Sequence, residues 1–79
     1  MHNGRYSPNE LTTGMVFYLA DEYLYPCLVV DNENNVVVYR EWNERFRRWE
    51  DEWKKRTYKG HELIRVLTGR TLLFYSSKA

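Results

Sequence analysis

The sequence predicts an α+β fold. The expected form is a small curved antiparallel sheet or barrel of about five strands, OB-like or SH3-like, with one amphipathic helix between the third and fourth strands. Three observations lead there. Residues 41–56, EWNERFRRWEDEWKKR, hold all three tryptophans and place Trp42, Phe46, Trp49 and Trp53 at spacings of 4, 3 and 4. At about 100° per residue these four rings fall within roughly 60° of a helix surface. Short runs before this segment (MVFYLA, CLVVD, VVVYR) are apolar on both sides of an extended chain. A sheet that is apolar on both faces must be covered on both. Curling of the sheet would supply one cover and the aromatic stripe the other. A plain curved sheet with the helix laid across it is the third arrangement that fits.

The elements follow in order. Residues 1–13 are polar and carry Gly4, Ser7-Pro8-Asn9 and Thr12-Thr13. They read as an irregular arm tacked on through Tyr6 and Leu11. Residues 14–76 read as a single domain and 77–79 as a frayed tail. Residues 15–20 are the first strand, with Met15, Phe17 and Leu19 on one side and Val16, Tyr18 and Ala20 on the other. Residues 21–26 connect it to the second strand, with Pro26 as punctuation. Residues 27–31 and 36–40 are strands two and three. Asn32-Glu33-Asn34-Asn35 turns between them, because asparagine tolerates left-handed backbone, and the pair should form a hairpin.

Residues 41–56 are then expected as the helix. Five acid-to-base pairs sit four residues apart: Glu41–Arg45, Glu44–Arg48, Glu50–Lys54, Asp51–Lys55 and Glu52–Arg56. Each would contribute about 0.2–0.5 kcal/mol to a helix. After a loop at 57–61, residues 62–67 are ambiguous between a short helix and a strand, with a strand preferred. Residues 71–75 (TLLFY) read as the last strand.

Size and composition bound the function. Seventy-nine residues make one domain, and such a chain buries only about 60% of its unfolded surface. Thirteen aromatics (Trp 3, Tyr 7, Phe 3) are a dense supply. Net charge is +1, which argues against a dedicated nucleic-acid coat. The single cysteine, Cys27, forms no internal disulfide, and residues 2–5 lead into no apolar signal run. The expected setting is cytoplasmic, with no membrane span.

No catalytic constellation is visible. His2, His61 and Cys27 are too scattered for a metal site, so neither metal nor cofactor is expected. Cys27 lies in an apolar strand beside Pro26 and reads as a buried thiol. The carboxylates of Asp21-Glu22 and Glu50-Asp51-Glu52 sit in a connection and on a wet helix face. General acid–base pairs need an apolar pocket instead. One stretch resembles a known family: Gly14-Met15-Val16 followed by Tyr25-Pro26-Cys27-Leu28-Val29-Val30 is similar to the opening of the MazF/PemK toxin endoribonucleases, which are small curved barrels. That family usually has an acid after the glycine and an arginine before the proline, where this chain has Met15 and Tyr25. The resemblance covers under a quarter of the chain, and ribonuclease activity is not carried over from it.

The readings that remain are binding modules. The first is a non-enzymatic protein-binding module, a small regulator or inhibitor of phage or mobile-element type, with a homodimer as one form. The second is a barrel that binds single-stranded nucleic acid through cations interleaved with aromatics. A toxin-like ribonuclease is the distant third. The candidate binding residues are Tyr18 and Tyr39 on the outer strand face, Trp42 at the helix entrance, Arg47, and Arg56, Tyr58, Lys59 and His61 where the helix hands the chain back. Arg45, Arg48, Lys54, Lys55 and Arg56 each have an acid four residues earlier, which favours self-pairing on a solvated face. Arg47, Lys59, Arg65 and Arg70 lack one.

Overall fold

The computed structural model describes residues 5–19 and 25–79. Ala20, most of the 21–26 connection and His2 lie outside the described residues. The elements in chain order are β1 (Arg5–Tyr6), a 3-10 turn (Pro8–Glu10), β2 (Val16–Tyr18), β3 (Pro26–Glu33), β4 (Val36–Asn43), β5 (Arg48–Trp49), β6 (Lys54–Thr57), β7 (Ile64–Arg65) and α1 (Gly69–Ser76). Among the described residues, no helix is long and apolar enough to cross a membrane.

The β3–β4 hairpin is the spine. Asn34 and Asn35 both take positive φ, 53° and 65°, the backbone that a tight two-residue hairpin needs and that asparagine adopts at low cost. Pairing runs from Glu33–Val36 back to Cys27–Glu41, with a register shift between Val29 and Asp31. β2 lies along β3. The outer edge of β2 is covered by a bridge from Phe17 to Val66 and by the Leu67 N–H donating to the Val16 carbonyl at 2.8 Å.

The expectation of a sheet apolar on both faces is met, and each face has its own core. One face buries Phe17, Cys27, Val29, Val37 and Tyr39 against Leu11, Tyr58, Ile64 and Val66. The other buries Val16, Leu28 and Trp42 against Trp49 and Leu67, with Tyr18, Leu72 and Tyr75 packed on it. The N-terminal segment is part of the first cover: β1 pairs antiparallel with β7, and Asn32 Nδ2 donates to the carbonyls of Pro8 (2.7 Å) and Leu11 (2.9 Å).

The expected helix over 41–56 is overturned, and with it the OB-like or SH3-like barrel. The sheet has five strands and does not close. β4 continues through Glu41, Trp42 and Asn43, turns, and returns as β5 and β6, which both pair antiparallel with it. The physical reason is local. No capping residue precedes Glu41, since Arg40 occupies that place, whereas the β-branched run Val36–Val38 drives the chain extended. Asn43 then closes a four-residue loop: its Oδ1 accepts from the Phe46 N–H at 2.9 Å, and Arg47 takes positive φ, 54°. Trp42 and Trp49 face each other across the strands at a ring distance of 5.2 Å, edge to face. The Glu50 N–H donates to the Glu41 carbonyl beside them, so the pair occupies the non-hydrogen-bonded position, where side chains approach most closely.

Between β5 and β6 the return strand bulges. Arg40 and Glu41 on β4 oppose residues 50–53 on the other side. Polar side chains fill the gap. Arg40 Nε donates to the Glu50 carbonyl (2.6 Å), Lys54 Nζ donates to Glu41 Oε1 (2.8 Å), and Asn43 Nδ2 donates to Glu50 Oε1 (2.6 Å). Asn43 therefore holds both the turn and the bulge. Its replacement by alanine is expected to cost about 1–3 kcal/mol, the scale of losing two hydrogen bonds, one part-buried and one exposed. Urea unfolding of Asn43→Ala beside wild type measures this, and an unchanged midpoint would remove Asn43 as the turn-setting residue.

The only helix among the described residues comes last, where a strand was expected at 71–75. Thr68 sits extended at its N-cap. Leu72 and Tyr75, three apart, pack on the second core, while Leu73 and Phe74 remain exposed. A run of four apolar residues, Leu72–Tyr75, fits helix or strand equally by pattern. Packing decides here, because the second sheet face needs a cover that residues 41–56, being strand themselves, do not give. Residues 62–67, expected extended, do contain β7.

Candidate functional site

The eight residues singled out from sequence fall into three places. Tyr39 and Tyr58 are buried in the first core and Trp42 in the second. Tyr18, Arg56 and Tyr58 meet in a cleft of about 260 Å³ between the end of β2 and the segment after β6, with Glu62, Leu63 and Arg65 on its walls. Lys59 and His61 lie exposed on the loop beside it. Arg47 stands apart, at the tip of the β4–β5 hairpin.

In the cleft the polar groups serve one another. The Arg56 guanidinium lies 4.8 Å from the Tyr58 ring centre. Its Nη1 donates to the Leu19 carbonyl at 3.1 Å, and its Nη2 is 3.9 Å from Glu62 Oε1. Glu62 Oε2 accepts from the Lys59 N–H at 2.6 Å. This set fixes the 57–62 loop against β2. Cys27 is no nucleophile: it is fully buried, and burial, with the charge of Glu41 adding to it, pushes its thiol up to about 12. Nucleophilic work at neutral pH needs a thiolate.

The edge formed by the hairpin return is more open. Of the four aromatics in 41–56, Trp42 and Trp49 are 7% and 3% exposed, whereas Phe46 and Trp53 are 62% and 66% exposed. Cations lie over Phe46 and over Phe74 of α1. Arg45 and Arg48 lie over Phe46, at 5.4 and 6.0 Å. Arg47 and Lys78 lie over Phe74 of α1, at 5.5 and 5.7 Å. Phe74 in turn packs on Trp42 at 6.1 Å. Glu44 is the acid that joins this tip: it accepts from Trp42 Nε1 at 2.7 Å and lies 3.9 Å from Arg47. None of the five acid-to-base pairs expected from helical spacing forms: Glu41 takes Lys54, Glu44 takes Arg47, and Arg56 takes Glu62. Among the described residues Arg45 and Arg48 form no ion pair.

Sequence reasoning missed Phe46 as a surface group, Arg45 and Arg48 as cations without an acid partner among the described residues, and Phe74 and Lys78 as neighbours of this tip. The signal was Asn43, the one residue of the segment that is neither charged nor aromatic. Read as a turn former, it places Phe46 in a loop and Trp53 in a bulge. No protein-family model, curated protein or solved structure matches this chain.

Proposed function

We propose that this chain is a non-enzymatic protein-binding module and that it engages its partner through the β5–β6 edge, with Phe46 and Trp53 as anchors. The carrying observation is their exposure, with Phe46 set between two arginines, while the other two aromatics of the same segment are buried. Aromatic and arginine side chains supply most of the energy at protein interfaces. Two large rings kept in water on a 79-residue domain are free surface that the fold itself does not use.

The test places a photo-crosslinking amino acid at Phe46, at Trp53, or at Asn9, an exposed control on the 3-10 turn. The same protein adduct is expected from the first two positions and not from the third. Equal adducts at all three, or none, would defeat the reading. Phe46→Ala and Trp53→Ala are expected to stay within about 0.5 kcal/mol of wild-type stability, as exposed positions do, so a lost adduct would report contact and not unfolding.

One observation favours a second reading, single-stranded nucleic acid: Arg45 and Arg48 lie over Phe46 without an acid partner among the described residues. Three phosphate contacts would give a slope of about −2 in log affinity against log salt. An oligonucleotide that does not bind even at low salt removes this alternative.

A further inference from the structure

We propose that β6 is a docking edge for an acidic, extended segment of another protein, which adds to the sheet as a further strand. The proposal rests on the protein-binding reading above and names the chemistry of the partner.

Among the described residues β6 pairs with β4 alone, and all four of its residues are exposed. The register shows which backbone groups are unused. Val37 faces Arg56 and Tyr39 faces Lys54, and the Tyr58 N–H donates to the Asn35 carbonyl at 2.9 Å. Hydrogen-bonded positions alternate along an antiparallel pair. The N–H and C=O groups of Lys54 and Arg56 therefore serve β4, and those of Lys55 and Thr57 point away from the sheet. An edge with such groups is a template for strand addition.

Charge decides the occupant. The strand reads Lys54-Lys55-Arg56-Thr57. Antiparallel pairing with a second copy through the outward groups would set Lys55 against Lys55 or Arg56 against Arg56, and like charges directly opposite are destabilising. The edge thus rejects itself and welcomes carboxylates. Lys55 forms no ion pair among the described residues, and Lys54 and Arg56 project on the other side of the strand. A segment with acids at alternate positions meets Lys54 and Arg56 on one face; an acid between them meets Lys55. Trp53, exposed at the entrance to β6, offers an apolar contact at the end of the added strand.

The probe is a labelled peptide of alternating glutamate and valine, compared by fluorescence anisotropy with its lysine–valine counterpart on the intact protein. The acidic peptide is expected to bind at least tenfold tighter than the basic one. Lys55→Glu is expected to weaken it at least tenfold. Thr57→Pro removes one outward N–H without touching the β4 ladder, and is expected to abolish binding while the circular dichroism spectrum stays that of wild type. If Thr57→Pro unfolds, Lys55→Glu alone decides. Equal binding of the two peptides, or full binding to Lys55→Glu, would overturn the proposal and leave the lysines as guards against aggregation. A concentration-dependent dimer blocked by Thr57→Pro would overturn it in favour of self-pairing, and competition by an oligonucleotide in favour of nucleic acid. If crosslinks from Phe46 and Trp53 persist while the peptide fails, strand addition falls and the protein-binding reading stands.

Discussion

Trp49→Ala is expected to destabilise the protein by about 3–5 kcal/mol, the range for truncating a buried large aromatic. Trp49 is 3% exposed and lies edge to face with Trp42 at 5.2 Å and tilted against Tyr75 at 6.0 Å. It also joins two elements far apart in sequence, because its Nε1 donates to the Tyr75 carbonyl near the end of α1 at 3.0 Å. The alanine variant loses ring contacts with a strand and with a helix together, and removes one of the hydrogen bonds that carbonyl accepts, another coming from the Lys78 N–H, a further cost of about 1 kcal/mol. Domains of this size have total stabilities of about 5–15 kcal/mol, so the loss is a large share. Urea unfolding followed by far-ultraviolet circular dichroism measures it. Trp53→Ala is the control and is expected to change little. Equal losses for the two would mean that both rings share one buried stripe, as in the helix the sequence suggested, and would refute the hairpin.

That contrast locates what was legible. The β3–β4 hairpin was readable because Asn34 and Asn35 are residues whose backbone preference names the turn. The need for two covers was readable from runs apolar on both sides. Residues 41–56 were not, because one pattern serves two structures. Rings at 42, 46, 49 and 53 make a helix stripe; rings at 42 and 49 also face each other in a hairpin whose loop is 44–47. The five acid-to-base pairs appeared to settle the matter, yet together they are worth only about 1–2.5 kcal/mol. Burying two indoles, at 150–250 Å² each, is worth roughly 8–12 kcal/mol gross. Both structures gain from that burial, so the pairs could not arbitrate. Arg40 in the capping place and Asn43 inside the segment could have.

Two of the candidate binding residues lie in the core for a related reason. Tyr39 and Tyr58 were assigned to a surface although both lie in the first core. Strand alternation separates two faces without saying which is wet, and on a sheet apolar on both faces neither is marked. Arg45 and Arg48 were set aside as paired with Glu41 and Glu44, a pairing that exists only on a helix. The correction of one element therefore reverses the status of its cations and moves the interest of the segment from a helix face to a sheet edge.

Stability is expected to fall steeply between about pH 9 and pH 12, and Cys27 is expected to be the main cause. Its thiol rises from 9.0 to about 12, first through burial and then through the charge of Glu41, with Lys54 opposing. The Tyr58 phenol rises from 10.0 to about 12, mainly through burial, with Arg56 opposing; its oxygen has no hydrogen-bond partner among the described residues. Both groups are neutral while protonated, and the folded protein holds those protons longer than the unfolded chain does. Below pH 9 both states are protonated and neither group contributes to the pH dependence. Above it the unfolded chain ionises first, so each further unit of pH draws the equilibrium toward unfolding until the folded values are reached. At 1.36 kcal/mol per unit, Cys27 accounts for at most about 4 kcal/mol by pH 12, and Tyr58 adds a smaller, solvent-screened share in the same direction. Urea unfolding at pH 8, 9.5 and 11 measures the slope. Cys27→Ala is expected to remove the part that begins near pH 9 and to leave the part that begins near pH 10, which belongs to Tyr58 together with Tyr39 and Tyr75, whose phenols burial also raises. Identical slopes for variant and wild type would show that the thiol ionises freely in the folded state. It would then have to be reachable, and the reading of Cys27 as a core residue of β3, and not a nucleophile, would fail with it.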